Sequence, residues 1–296
     1  MVKTIVFPSS FFDTRKVDED LQAEYDAVLE TGLFDVVLFG YDKWFGEGAL
    51  TLAGKWTEEA DAVYRGWMMK PEQYEEFYRA LYARGIRLIT EPKAYEAMHV
   101  FPNVYKLVEE DTARMRIFPL HEEIELARVK AEFSRFMVKD YVKSVKGTSF
   151  PKYFDSSTEQ DAFNQWMEVF YQYRGDLLTG GICIKEYLDL KKYGDRTNEY
   201  RVFYMNHEIA AVSRNSGQLS TASLPPETLV EKYRNLPSVF YTVDFAELEN
   251  GTWKIIEAGD GSVSGLSDGQ DYGAFFRALY QCVTVQPRTL HLLQSP

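Results

Sequence analysis

The chain has 296 residues, enough for a well-buried core divided between two domains or lobes. Hydrophobic residues make up 45%, charged residues 26% and aromatics 15%, an ordinary globular balance with enough rings for large packed interfaces or an aromatic-lined cleft. A formal net charge of -12 argues against a nucleic-acid backbone as partner, two cysteines in unlike contexts exclude a disulfide framework or a Cys-rich metal site, and no apolar run approaches membrane-spanning length, so a reducing, cytoplasmic setting with no membrane partner is expected.

In chain order, KTIVF reads as a strand and KVDEDLQAEYDAVLE as an amphipathic helix. DVVLFGYD and ADAVYRGWMM read as strands. PEQYEEFYRALYARG carries Pro at a helix start and Gly beyond its end. IRLIT is a strand, with more helix up to Glu110. Strands separated by helices predict a mostly parallel sheet. HEEIELARVKAEFS reads as a helix bridging two lobes, so the division is set near residue 120: 1–120 as an α/β domain, 121–296 as the rest.

Beyond that point hairpins predominate, which predicts an α+β half with an antiparallel sheet. SRFMVKDYVKSV is a strand, KGTSFPKYFDSS a loop, EQDAFNQWMEVFYQYR a helix and GGICIKEYLDL a strand. EYRVFYMNHEIAAV is a hairpin turning at Asn-His. PPETLVEKYRN is a short helix, VDFAELENGTWKIIEAGDG a second hairpin and DYGAFFRALYQ a closing helix.

The second hairpin carries the sharpest arithmetic. Asn-Gly between alternating hydrophobics favours a two-residue type I′ turn. With Asn250 and Gly251 as the turn, Leu248 faces Trp253, Ala246 faces Ile255 and Asp244 faces Glu257, all on one face, while Glu247 and Lys254 make an ordinary surface pair. Two opposed carboxylates on a core-facing side repel. Either one holds a proton, or a cation sits between them, or the register slips. Carboxylate oxygens suit Mg²⁺ or Mn²⁺.

In FMVKDYVKS, an extended chain sets Lys139, Tyr141 and Lys143 on one face, the two lysines about 13 Å apart. Lys146-Gly147-Thr148-Ser149 continues the segment, and backbone N–H groups there can cradle an anion. GICIKEYLDL buries Lys185 and Glu186 among apolar neighbours. In EYRVFYM, Arg201 sits mid-strand and requires an acidic partner or a phosphate.

That order of motifs (lysine strand, Gly/Ser loop, Lys-Glu-Tyr-Leu strand, arginine strand, Asp/Glu hairpin) resembles the ATP-grasp superfamily, and within it the clade named for one arginine and two lysines. The resemblance covers roughly residues 137–281, and YRGWMMKPEQYEEFYRALYARGIRLI is similar to the N-terminal half of those proteins. It implies an α+β ATP-grasp fold, two lobes gripping ATP with a hinge near 185–190, preceded by an N-terminal α/β pre-grasp domain. By the same resemblance Lys139 and Lys185 reach the nucleotide phosphates, Lys143 lies near the phosphate lid, and Glu186, Tyr187 and Leu188 form the hinge that reads adenine. Asp189 is the ribose candidate, Arg201 holds a phosphate or acyl-phosphate, and Asp244 and Glu257 bind Mg²⁺ (or Mn²⁺). The usual metal motif is Glu-x-Asn; here Gly259 stands two after Glu257, and Asp260 is the candidate replacement ligand.

The implied reaction is ATP-dependent joining of a small-molecule or peptide carboxylate to an amine or other nucleophile through an acyl-phosphate. A kinase on the same fold and a non-catalytic ATP-binding module are the alternatives. Arg65 and Trp67, at the carboxyl end of a strand, are candidates for holding a substrate carboxylate and walling its pocket. Ser262 and Ser264 lie in a Gly/Ser tail able to approach the acceptor. His99, His121, His207 and His291 are scattered; His207 reads as a turn residue and none is singled out as a base.

Overall fold

The structure is a computed structural model in which residues 3–57, 59–145 and 147–284 are described; Lys146 and His291 lie outside these. The N-terminal sheet comprises β1 (Thr4–Pro8), β2 (Asp35–Phe39), β3 (Leu52–Gly54), β4 (Ala60–Tyr64) and β5 (Ile86–Leu88), in the order β3-β2-β1-β4-β5. β1 pairs in parallel with β2 and β4, and β4 with β5; β3 is an antiparallel edge strand. The connecting helices are α1 (Gln22–Thr31), α2 (Tyr41–Glu47), α3 (Pro71–Tyr82), α4 (Pro92–His99) and α5 (Phe101–Val108). α3 shows why: Tyr74, Phe77 and Leu81 recur on one face and are wholly buried against Val6, Phe39 and Tyr64, while Pro71 opens the helix.

A second sheet has the order β6-β9-β7-β8, from β6 (Met115–Phe118), β7 (Arg135–Asp140), β8 (Phe154–Asp155) and β9 (Ile182–Glu186). α6 (Leu126–Glu132) and α7 (Gln160–Arg174) cover it, with Phe163, Met167 and Phe170 packed on Phe136, Val138 and Ile184. β6 lies upstream of the 120 division yet pairs with β9, so this lobe begins before that residue. The expected bridging helix is correspondingly short.

The third sheet follows a small ribbon, β10 (Lys192–Tyr193) with β11 (Arg196–Thr197). Its order is β13-β12-β14-β15, from β12 (Glu199–Met205), β13 (Glu208–Arg214), β14 (Phe240–Glu247) and β15 (Trp253–Asp260), all antiparallel. One face packs against α4, α5 and α8 (Glu227–Lys232) through Met98, Phe101, Val104 and Val230. Part of the other face packs against α9 (Tyr272–Thr284), whose Phe275, Phe276 and Leu279 also reach Ile5 and Val28 of the N-terminal domain. The two hairpins turn differently. Asn206 and His207 both have positive φ, 49° and 67°, as a two-residue type I′ turn requires.

Asn250-Gly251 instead belongs to a three-residue loop. The Leu248 N–H donates to the Thr252 carbonyl at 2.8 Å, and Gly251 at φ 81° takes the left-handed position. Pairing near the turn is therefore one residue off the expected register: Glu247 faces Trp253, Ala246 faces Lys254 and Phe245 faces Ile255. A bulge at Ile256 then restores it, and Asp244 faces Glu257 as expected. The correction moves Glu247 from the surface into the interior. It is 4% exposed and accepts hydrogen bonds from Lys191 Nζ (2.8 Å), Asn198 Nδ2 (2.8 Å) and Tyr193 OH (3.2 Å).

Glu247 thus ties the hairpin to the segment leaving β9. Glu247→Ala leaves three donors unanswered and is expected to cost about 3 kcal/mol, whereas Glu247→Gln, which keeps an acceptor, costs less; urea unfolding of the two variants measures the difference.

Candidate functional site

Between the second and third sheets lies a cavity of about 970 Å³. Its lysines come from neighbouring strands. Met137 pairs with Lys185 and Lys139 with Cys183, so alternation places Lys139 and Lys185 diagonally on one face. Both are buried, at 6% and 4% exposure, and both ammonium groups lie over the Phe101 ring, 5.1 and 4.4 Å from its centroid. Lys185 Nζ donates to the Ile256 carbonyl at 2.7 Å, and Lys139 Nζ lies 3.7 Å from Glu257 Oε1, so each lysine reaches across to β15. Burial, reinforced by Lys139 and opposed by Glu257, pulls the Lys185 pKa down to about 7.

Lys143 lines the same cavity by a different route from the extended one expected. β7 stops at Asp140, whose buried carboxylate accepts the N–H groups of Val142 (2.7 Å) and Lys143 (2.6 Å) and is held by Arg174 at 2.7 Å. The chain reverses there, and the Asp140 N–H returns to the Lys143 carbonyl at 2.9 Å. The Gly147-Thr148-Ser149 stretch is a bend in which Thr148 Oγ1 accepts the Phe150 N–H.

Glu186, Tyr187, Leu188 and Asp189 line the cavity where the two sheets join. The Glu186 carboxylate is gripped by Arg114 at 2.8 and 3.0 Å, a pair that holds its pKa below the usual range. Its N–H goes to Arg114 and that of Tyr187 to Arg135. The next residues pair with the hairpin loop: Glu249 N–H donates to the Asp189 carbonyl, and Lys191 N–H to Glu247. Asp189 forms an ion pair with Arg135, whose guanidinium lies over Tyr153 and Tyr187. Lys192, Thr197 and Glu199, from the β10–β11 ribbon and β12, form a wall that no sequence motif announces.

The bulge turns both Ile256 and Glu257 toward the cavity. Glu257 also lines an adjoining polar cavity of about 100 Å³, together with Arg201, Asp244, Thr242, Ser264, Lys143 and His99. Arg201 pairs with Asp244 in register, Nε to Oδ1 at 2.8 Å and Nη2 to Oδ2 at 2.7 Å. Burial opposes the Arg201 charge, but Asp244 more than offsets it, and the guanidinium is charged at any ordinary pH. His99 was passed over in the sequence because an isolated histidine carries no spacing signal. It stacks on Tyr95 (4.7 Å between centroids), and burial, with Lys143 beside it, pulls its pKa down to about 4.

Of the candidate metal ligands, Glu257 has the placement: its side chain is 38% exposed and borders both cavities. Asp244 has both oxygens on Arg201. Asp260 borders the smaller cavity, but alternation along β15 turns its side chain to the Ala258 face, away from Glu257. There it is wholly buried, Oδ1 accepting the Ser262 N–H at 2.9 Å and Oδ2 unpartnered among the described residues. Burial raises its pKa to about 7. Among the described residues no cluster of three or more His, Cys, Asp or Glu side chains assembles to hold an ion.

The substrate candidates fall in different places. Arg65 is 2% exposed and grips Glu24 at 2.8 and 2.9 Å, and its Nη1 donates to the carbonyls of Gly261 and Ser264. Its donors pin the 261–264 segment to the N-terminal domain, so in this structure it acts as a clamp. Trp67 donates to Asp18 and lines neither cavity; its neighbour Met68 lines both. Ser262 is buried, while Ser264 borders the small cavity, its hydroxyl between Thr242 Oγ1 and the Asp260 carbonyl.

Two antiparallel sheets closing on a lysine-lined cavity, behind an α/β domain, define an ATP-grasp fold, and solved structures agree. A D-alanine–D-alanine ligase from Coxiella burnetii superposes with a TM-score of 0.61 at 9% identity, over 95% of this chain and 93% of that one. The ATP-grasp ligase PsnB in complex with a minimal precursor gives 0.60 at 11% identity, over 95% and 99% of the two chains. The D-cycloserine synthetase DcsG gives 0.59 at 12% identity, over 94% and 99%. The model of the ATP-grasp domain in family 3 of the one-arginine, two-lysine clade matches residues 126–279, more than half of the chain, and the protein belongs to that family. No curated protein matches it by sequence. Among the described residues no helix is long and apolar enough to cross a membrane.

The lowered Lys185 pKa sets a pH signature. Without ligand the amine sheds its proton as pH rises through about 7, and a polyphosphate against it restores the charge. Binding of an ATP analogue is therefore expected to take up about one proton near pH 8 and almost none at pH 6. Calorimetry in buffers of different ionisation enthalpy measures this, and Lys185→Met abolishes the difference.

Proposed function

We propose that the chain is an ATP- and Mg²⁺-dependent ligase that activates a carboxylate as its acyl-phosphate and joins it to an amine or another nucleophile. The observation that carries this reading is the cavity itself. Its volume of about 970 Å³ suits a nucleotide, its inner end is lined by Lys139, Lys143 and Lys185, and Glu257 faces them. In this reading the adenine lies against Glu186, Tyr187 and Leu188, with Met137 and Ile256 as apolar walls. The Leu188 N–H, which meets no backbone acceptor among the described residues, is the group that reads the base. The ribose lies toward Asp189 and the Lys192–Glu199 wall.

The phosphates lie on the lysines, two of them buried, where positive charge counts most. When bound, Mg²⁺ on Glu257 neutralises further phosphate charge. The γ-phosphate then points toward the small cavity. A substrate carboxylate oxygen there attacks phosphorus and ADP leaves. The nucleophile next attacks the acyl carbon, the C–O bond to phosphate breaks, and inorganic phosphate departs with the transferred oxygen. Arg201 and the lysines hold the anionic phosphate through both steps. The likeness to PsnB, which was solved with a peptide precursor, and to a D-alanine–D-alanine ligase supports a peptide or amino-acid substrate class.

The decisive experiment is a screen of carboxylate and amine pairs read by ADP release and product mass. A ligase releases ADP and phosphate in equal amounts only when both substrates are present. A stable phosphorylated product that needs no amine identifies a kinase, and analogue binding without turnover of any pair identifies a binding module. Lys139→Ala and Glu257→Ala are each expected to lower turnover at least 100-fold. Lys139→Ala should melt near the wild-type temperature, because it relieves a like-charge pair.

A further inference from the structure

We infer that His99 is the residue that receives the attacking amine, accepting one of its N–H groups while the nitrogen lone pair is turned to the acyl carbon. The inference rests on the ligase reading above and names the nucleophile's place in that same site. It starts from an imidazole that is buried, held in place and without a hydrogen bond. His99 closes α4, is 7% exposed and borders the small cavity. Its ring stacks on Tyr95, one helical turn earlier, with 22° between the planes. Tyr95 in turn stacks on Tyr74 at 3.8 Å and exchanges hydrogen bonds with the Met69 backbone at 2.8 and 3.0 Å, and Tyr74 OH donates to the Thr90 carbonyl at 2.9 Å. The rings are thus fixed in a stack, and both tyrosine hydroxyls are satisfied. The imidazole at the end of the stack is not: among the described residues neither ring nitrogen has a hydrogen-bond partner, and the ring opens to the cavity instead. A buried polar group without a partner costs free energy, and a site that keeps one offers it to a ligand.

The neighbours decide which ligand. Arg201 and Lys143, on the same cavity, are cations and suit the carboxylate and the phosphate. The hydroxyls there are acceptors. Ser264 Oγ gives its proton to the Asp260 carbonyl at 2.7 Å, so in the 2.9 Å contact between Thr242 and Ser264 it is Thr242 that donates, and neither has a proton left for a ligand. Burial, with Lys143 beside it, keeps the His99 ring uncharged near neutral pH in this structure, so one of its nitrogens is an acceptor as well. A group with N–H protons but no positive charge fits this end of the cavity, and an amine must itself be uncharged to attack. Its nitrogen bonds to the acyl carbon, the C–O bond to phosphate breaks with its electron pair on the leaving oxygen, and the amine's proton leaves on inorganic phosphate. His99 orients the amine through the hydrogen bond and keeps no proton.

The test uses the full chain with ATP, Mg²⁺ and the carboxylate–amine pair found by the ADP-release screen. Hydroxylamine serves as a second nucleophile, because at saturation it captures an acyl-phosphate without being positioned. His99→Phe keeps the ring stack and removes the nitrogens. It is expected to lower kcat/KM for the amine at least tenfold (about 1.4 kcal/mol), while KM for ATP, KM for the carboxylate and the rate of hydroxamate formation each stay within about threefold of wild type. Its melting temperature stays at or above that of the wild type, because an unpartnered polar group gives way to an apolar ring. His99→Gln, which keeps an acceptor, retains more of the amine activity. Unchanged amine kinetics in His99→Phe, an equal loss with hydroxylamine, a change confined to KM for ATP or the carboxylate, or equal losses in the two variants each overturn the inference while leaving the ligase reading standing. If His99→Phe does not fold, His99→Leu set against His99→Gln makes the same comparison. If no pair yields a joined product, the ligase reading itself fails, and this one with it.

Discussion

The register of a single hairpin is the constraint on which the site depends. The three-residue loop at Glu249, Asn250 and Gly251 starts the β14–β15 ladder one residue off the simplest pairing, and the bulge at Ile256 takes that residue back. Neither irregularity alone would serve. Without the bulge, the side-chain period of two would carry Glu257 to the face packed on α4 and α5. With it, Glu257 stands opposite Asp244, and Ile256 turns its side chain to the large cavity and its carbonyl to Lys185. A bulge beside a site that re-aims side chains is a recurrent use of this irregularity.

The second lobe is arranged around the cost of its lysines. Two ammonium groups on adjacent strands repel, and burial makes the repulsion worse. Three features offset it without removing it: the Phe101 ring beneath both, the Ile256 carbonyl on Lys185 and the Glu257 carboxylate near Lys139. Phe101 opens α5, a helix of the N-terminal domain, and Ile256 and Glu257 belong to the third sheet, so all three parts of the molecule meet at these two side chains. Positive charge held short of full compensation in this way is what the proposed polyphosphate would complete.

Much of this was legible in the sequence because it rests on order and periodicity. Alternating strands and helices give the parallel N-terminal sheet, and the succession of Lys139, Lys185, Arg201, Asp244 and Glu257 gives residues that border the two cavities. What escaped has specific physical causes. Asn-Gly suits a two-residue turn and also a three-residue loop with glycine in the left-handed position, and the difference lies in Ile256, an ordinary strand residue. β6 was hidden because Arg116 and Ile117 face outward at a sheet edge, leaving no core pattern to read. Lys143 was placed on an extended strand because the chain reversal depends on Asp140, whose partner Arg174 lies far along the sequence. Arg65 read as a receptor because burial by Glu24 and by two distant carbonyls is a tertiary fact.

The Arg201–Asp244 pair illustrates how this scaffold divides its charges. A carboxylate on a cleft-facing strand can neutralise a metal or orient a cation, and here both Asp244 oxygens accept from one arginine fork. Spending Asp244 on Arg201 places a delocalised, permanently charged fork where transferred phosphate is expected, with its orientation fixed before any ligand arrives. The fork also reaches the Gly265 carbonyl, and the neighbouring carbonyls of Gly261 and Ser264 are held by Arg65. Two arginines therefore set the path of one short segment, the first from the third sheet and the second from the N-terminal domain. Because Arg65 is in turn anchored on α1 through Glu24, any shift of that domain against the third sheet must strain a buried ion pair.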